Sequence, residues 1–336
     1  MERRAPDLLG RRLLFVTGKG GVGKSTVAAA FALLAAEQGQ RVLVVEVDSK
    51  GDLADLFEHR PVGFSPVQVH PGVFAMSMST EASLREYLRL NLRIPVLGRL
   101  GPLARVLDFV AAAAPGVKEI LTVGKICWEV RESIEGRAGW DLVVVDAAAT
   151  GHIIAQLGAP ESIRELVAVG PVRAQTEWMS GLLSDPAVTA LNIVATPEEM
   201  PVNETIELVE RARAELTVPM GAVIVNRVLP ELFTRADQET FEALREPEPS
   251  ARLAELVGAA AAGAGGSPVA ATVGTTAVLE GARLAVSLRR TRATHLSHLR
   301  RSVDLPLLYL PYLFARAHGL RVTRVMADAL GEELGL

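Results

Sequence analysis

Gly18-Lys19-Gly20-Gly21-Val22-Gly23-Lys24-Ser25-Thr26 is the stretch on which the fold turns. It has the spacing G-x-x-x-x-G-K-[ST] of a phosphate-binding loop, and its flanks are those such a loop requires. Before it, Leu13 to Thr17 is a short apolar run, expected as a buried parallel strand. After it, Ser25 to Gln38 is rich in Ala and Leu without Gly or Pro, so a helix is expected there, stopped by Gly39. Arg41 to Val47 reads as the next strand, ending at Asp48, which completes a right-handed βαβ unit. In such a loop the glycines let backbone N–H groups turn inward around phosphate oxygens, and the helix N-terminus adds its positive end. Gly18, Gly20, Gly21, Val22 and Gly23 then form the cradle. Lys24 reaches the β- and γ-phosphates of ATP, the Ser25 hydroxyl binds Mg2+, and Thr26 donates to the α-phosphate.

Gly18, Gly20 and Gly23 also match the dinucleotide fingerprint G-x-G-x-x-G, and Asp48 falls where that motif holds a ribose. Three features favour the P-loop. A nicotinamide site has no use for the Lys24-Ser25 pair, Lys19 is a second lysine inside the loop, and a later strand ends in Asp146, a carboxylate placed to organise Mg2+.

Further along, Asp141 to Asp146, Leu191 to Ala195, Gly221 to Val225 and Leu305 to Leu310 read as strands, with a helix over Glu198 to Leu216 and another near Val322 to Leu330. Strands alternating with helices imply an α/β, doubly wound, mainly parallel sheet. The segment 80–137 lacks β-branched runs and carries helical patterns at Glu81 to Leu92 and Leu103 to Ala114, so it reads as a helical insertion. Residues 246–274, rich in Pro, Gly and Ala, are expected as a flexible loop inside one domain spanning 1–336.

Composition narrows the function. Of 336 residues 49% are hydrophobic, enough for a large core, but only 4% are aromatic. Few aromatic platforms and a net charge of −4 argue against a nucleic-acid surface. No uninterrupted apolar stretch approaches the length of a membrane span, and the basic N-terminus lacks a secretory h-region. The one cysteine, Cys127, cannot form an internal disulfide; it reads as a small core residue and fits a cytoplasmic location. His295 and His298 have no acidic or cysteine partner nearby in sequence and read as surface-helix residues.

Lys19-Gly-Gly-Val-Gly-Lys-Ser25 resembles the "deviant" Walker A loop of the ATPase class that includes nitrogenase iron protein, the partition ATPases, and the arsenite-pump and tail-anchored-protein-targeting ATPases. That resemblance implies a dimer in which Lys19 crosses to the partner's phosphates, in the role an arginine finger has elsewhere. Asp48 to Phe57 is similar to the first switch of the arsenite-pump/targeting branch, which makes Asp48 the residue that orients the attacking water. Ser49 and Lys50 replace that switch's Pro-Ala. Asp146-Ala-Ala-Ala-Thr-Gly-His152 resembles the second switch. There Asp146 would hold Mg2+ through water, and Thr150 and Gly151 would sense the γ-phosphate, with Ala149 where the family has proline. Thr196 to Thr205 matches the family's T-x-P-E segment with its following Glu-Thr. Asn226 stands where an asparagine reads adenine, and Pro311 where the base pocket closes.

The resemblance implies an ATP-hydrolysing enzyme, either a homodimer or a heterodimer with a related ATPase. Its nucleotide cycle would move the insertion and capture or release a hydrophobic protein client. Two alternatives stand beside it. One is a weakly hydrolysing ATP-binding subunit; the other is an anion- or metalloid-pump subunit, which a single cysteine disfavours. The CxxC of eukaryotic-type targeting ATPases is absent, and the chain holds one ATPase half, like bacterial single-half homologues.

Overall fold

Eight strands form one sheet in the order β3-β4-β2-β5-β1-β6-β7-β8. They are β1 (Leu13–Gly18), β2 (Val42–Glu46), β3 (Val67–His70), β4 (Val73–Ser77), β5 (Leu142–Ala149), β6 (Thr189–Ala195), β7 (Met220–Val228) and β8 (Leu307–Pro311). All neighbouring pairs are parallel except β3–β4. The computed structural model describes residues 7–48, 51–92, 116–134, 139–167, 169–244, 246–263, 268–314 and 318–336.

The central strands are near-continuous runs of Val, Ile and Leu because both sheet faces are covered. Every residue of β1, β2 and β6 is buried. On one face lies α1 (Lys24–Glu37), in which Val27 through Ala35 are all buried. That helix has no polar side over this length because the sheet covers one flank and the C-terminal helix α11 (Leu320–Leu334) the other. The described helices between them are α2 (Asp52–Leu56), α3 (Thr80–Leu92), α4 (Val117–Ile134), α5 (Thr150–Leu166), α6 (Pro171–Ser184), α7 (Glu199–Glu215), α8 (Arg235–Ala243), α9 (Pro247–Gly263) and α10 (Pro268–Ser302).

Contacts group the chain into two units, 1–228 with 299–336, and 229–298. The first holds the whole sheet. The second is helical and buries little: α8 has no buried residue and α9 only Gly258. Its internal ties include the Thr234–Asp237 capping box on α8, an edge-on Phe233–Phe241 pair and Arg290 donating to Gln238.

Two expectations change here. The span 246–274, expected as a loop, is helical over α9 and again from Pro268. Alanine is the best helix former, and proline is tolerated in a first turn because its missing N–H would have had no partner there. The hairpin β3–β4 adds an edge that the sequence reading did not contain; Pro71 and Gly72, with φ 78° at the glycine, turn the chain between its strands. In the insertion, α3 and α4 form as helices, whereas the helix expected over Leu103 to Ala114 lies outside the described residues.

Buried charge ties the insertion to the sheet. The Lys125 ammonium, 9% exposed, lies 2.8 Å from both Glu86 on α3 and Glu129 on α4. Burial alone would lower its pKa, but the two carboxylates together raise it. Glu129 also accepts the Trp140 indole N–H at 2.8 Å, just before β5. With every partner present the lysine stays charged; removing one carboxylate would leave a buried charge short of a partner.

Candidate nucleotide site

The P-loop leaves β1 at the carboxyl ends of the parallel strands, where open α/β sheets place ligands. Two glycines are needed for its path. Gly18 has φ 148°, and a Cβ there would meet the Val194 carbonyl oxygen at 2.2 Å; Gly23 has φ 98°, and a Cβ there would meet Asn226 Nδ2 at 2.4 Å. A side chain would collide with strand backbone at Gly18 and with the Asn226 amide at Gly23, at a φ that favours glycine in both. Nothing lies within 4 Å of where a Cβ would be on Gly20 or Gly21, so their backbone faces open space.

That space is a cleft of about 590 Å3. Gly20, Gly21, Gly23, Lys24, Ser25 and Thr26 line one side, and Asp48, Asp146 and Ala147 line another. Parallel pairing of β2 with β5 sets Glu46 directly beside Asp146. The strand register therefore brings together carboxylates that are 100 positions apart in the chain. The Ser25 hydroxyl donates to Asp52 Oδ2 at 3.3 Å, and Lys24 Nζ donates to the Lys19 carbonyl at 3.3 Å.

Asp146 is only 7% exposed, and its Oδ1 has no hydrogen-bond partner. Burial pushes its carboxyl up to about 6; Ser25 and Lys24 pull it down, while Glu46 and Asp52 push it further up. Among the described residues, Glu46, Asp48, Asp52, Asp55 and Asp146 line the cleft together with Lys24. A polyphosphate would be repelled there unless a divalent cation came with it. The orphaned buried oxygen beside the Ser25 hydroxyl is the donor set a hard cation such as Mg2+ takes.

The other expected residues fall elsewhere. Asn226, expected at the adenine edge, is buried, donates its amide to the Val22 carbonyl at 2.8 Å and accepts from the Arg227 N–H at 2.9 Å. It clamps the loop rather than lining the cleft. Pro311 ends β8 and does not line the cleft. Lys19 points away from it and forms an ion pair with Glu204 on α7. Thr150, the first residue of α5, donates to the other oxygen of Glu204 at 3.4 Å, and Gly151 follows it, exposed. The structure thus divides the expected residues between a phosphate cleft and a Lys19–Glu204–Thr150 cluster. Glu46, Asp52, Asp55, Leu56, Ala147, His318 and Gly319 also line the cleft and were not among the expected site residues. The two aspartates lie in the quoted switch segment and could have been read from it. His318 and Gly319 reach the site only because α11 packs on α1 and α2.

The sequence family agrees with this geometry. The anion-transporting ATPase model matches residues 11–169 and 166–254. The chain belongs to that family. ATPase BagA of Mycobacterium tuberculosis (strain ATCC 25618 / H37Rv) is 37% identical over 229 residues, covering 66% of this chain and 67% of its own length. A putative arsenical pump-driving ATPase of Halobacterium salinarum is 31% identical over 250 residues, covering 69% of this chain and 37% of that one. Putative arsenical pump-driving ATPase 2 of Aquifex aeolicus is 27% identical over 269 residues, covering 70% and 86%. This member is an ATP-hydrolysing enzyme. Among the described residues no helix is long and apolar enough to cross a membrane.

Proposed function

We propose that this ATPase hydrolyses Mg-ATP as a dimer and uses the cycle to open and close a helical surface that binds a partner. The observation that carries the reading is the Lys19–Glu204–Thr150 cluster. The loop lysine lies outside its own phosphate cleft, held by a carboxylate that also holds the first residue of the helix after β5.

When bound, Mg2+ neutralises phosphate charge and polarises the γ-phosphoryl group. The Ser25 hydroxyl and, through water, Asp146 would hold it. Lys24 binds the β- and γ-phosphates, Thr26 the α-phosphate, and Asp48 orients the attacking water. Lys19 is released from Glu204 when a second subunit offers its phosphates, and it then stabilises charge on them in trans. Release leaves Glu204 with Thr150 alone, so α5 shifts with the nucleotide state, and Gly151 lets that first turn adjust. α5 packs against α4 and α6, so its movement reaches the insertion helices. A hydrophobic protein segment is the partner that surface would capture or release.

ATPase rate against protein concentration, for wild type and Lys19→Ala, tests this. A specific rate that rises with concentration and collapses in the variant supports a homodimer with the lysine acting in trans. A rate that stays at background at every concentration, rising only when a related ATPase is added, replaces the homodimer by a heterodimer. A concentration-independent rate that Lys19→Ala leaves intact defeats the reading.

A further inference from the structure

Glu46 ends β2 in the wall of the nucleotide cleft, at a position where phosphate-loop chemistry by itself calls for no carboxylate. It is 2% exposed, and its Oε1 has no hydrogen-bond partner. Its Oε2 accepts from the Ser77 hydroxyl at 3.2 Å. The register of β2 on β5 sets it beside Asp146, whose Oδ1 is likewise buried without a partner. Buried side-chain oxygens are seldom left unmatched, because each costs about 1–3 kcal/mol. Two such oxygens on neighbouring strands of one cleft point to a single ligand that completes both.

Chemistry selects that ligand. Two carboxylates side by side repel each other, so an anion does not satisfy them. A water donates to both at once, and a water polarised by a divalent cation donates more strongly. Ser25 and Asp146, the candidate holders of that cation, line the same cleft. Among the described residues, no three acidic, histidine or cysteine side chains are grouped to hold a metal ion directly. A carboxylate here therefore acts through water, which suits Mg2+ because it keeps several of its waters when bound.

Glu46 is also tied to the insertion. Its carbonyl accepts the Met78 N–H at 2.8 Å, and Ser77, which holds its carboxylate, ends β4. α3 starts at Thr80, directly after Ser79. The Ser79 hydroxyl accepts the Ala82 N–H at 3.3 Å and its carbonyl the Ser83 N–H at 2.8 Å, so this short link is braced on the first turn of α3. One side chain thus spans from the cleft to the strand that carries α3.

We propose that Glu46 is a positioning residue for the nucleotide's cation: its Oε1 accepts from a cation-bound water, and Ser77, on its other oxygen, couples that water to the start of α3. The proposal rests on the Mg2+ site proposed above and adds to it a residue and a second route, besides α5, to the insertion helices. The full chain saturated with ADP is titrated with Mn2+, and free Mn2+ is read by electron paramagnetic resonance. Glu46→Gln should weaken Mn2+ binding about tenfold or more while ADP affinity in chelator stays within about twofold of wild type. Ser77→Ala should weaken Mn2+ less, and should abolish the slowing of hydrogen exchange over residues 80–84 that Mn2+ and ADP together produce in wild type. Both variants must melt cooperatively, and the second keeps the proposal testable should the first misfold. Asp146→Asn separates the two inferences. Mn2+ affinity lowered by Asp146→Asn and untouched by Glu46→Gln overturns the role of Glu46 alone; affinity untouched by either overturns the metal site as well. An equal loss of ADP affinity in chelator makes Glu46 a structural residue and overturns the proposal, as does α3 exchange that wild type leaves unchanged on binding.

Discussion

Asp146→Asn tests the electrostatic design of the phosphate cleft. The Asp146 carboxyl is 7% exposed and is raised from the ordinary 3.8 to about 6, with burial as the largest cause. Each pKa step is about 1.4 kcal/mol, so keeping it ionised in the nucleotide-free protein costs about 3 kcal/mol. The folded carboxyl holds a proton more tightly than the unfolded one. Its contribution to stability is therefore fully present below 3.8 and is lost as pH rises through about 6. Asparagine has the same shape and no charge at any pH. The variant should exceed wild type by up to about 3 kcal/mol at pH about 7.5, by about half that at pH about 5, and by nothing at pH below about 4. Urea denaturation of the protein in chelator, at each pH, reads this as a shift in midpoint at constant slope. The same variant should lose Mg2+-dependent ATP binding, because the oxygen that is orphaned in the free protein would have lost its negative charge. A variant less stable than wild type at pH about 7.5, or a gain that does not shrink on acidification, would refute the reasoning.

Gly23→Ala forces a Cβ to within 2.4 Å of Asn226 Nδ2 at φ 98°, so it should abolish nucleotide binding and destabilise the fold by about 1–3 kcal/mol, read by ATP titration and denaturation. Asn226→Ala leaves the Val22 carbonyl without its buried donor; a stability loss of about 1–3 kcal/mol with a larger fractional loss of ATP affinity is expected. Glu204→Gln weakens the hold on Lys19, and the ATPase rate should rise at protein concentrations where wild type is mostly monomeric; a fall there would assign Glu204 to catalysis instead. Burial pushes the Cys127 thiol up to about 12, so a thiol reagent at about pH 8 should react only after denaturant is added.

The glycine-rich turn after β1 was legible because motif spacing encodes it: Gly18 and Gly23 take the positive φ that such a turn needs, although the groups that crowd a side chain there, the Val194 carbonyl and Asn226, come from distant strands. The central strands were legible for a related reason: burial on two faces forces an unbroken apolar run. The hairpin β3–β4 was not: Val67 and Gln68 of the four-residue β3 are exposed, so no apolar run marks that strand, and the run Val73 to Met76 of β4 is only four residues long. The span 246–274 was misread because glycine and proline suggested a loop, while the alanines between them favour a helix.

By itself the sequence determined the α/β class and the family, since these rest on local apolar runs and short motifs whose order can be read directly along the chain. Tertiary structure alone decided which distant groups share a site. Strand register set Glu46 beside Asp146, packing of α11 brought His318 and Gly319 to the cleft, and the approach of α7 to the loop gave Lys19 to Glu204. It also set the Asn226 amide on the Val22 carbonyl, a pairing between residues far apart in the chain that only folding establishes.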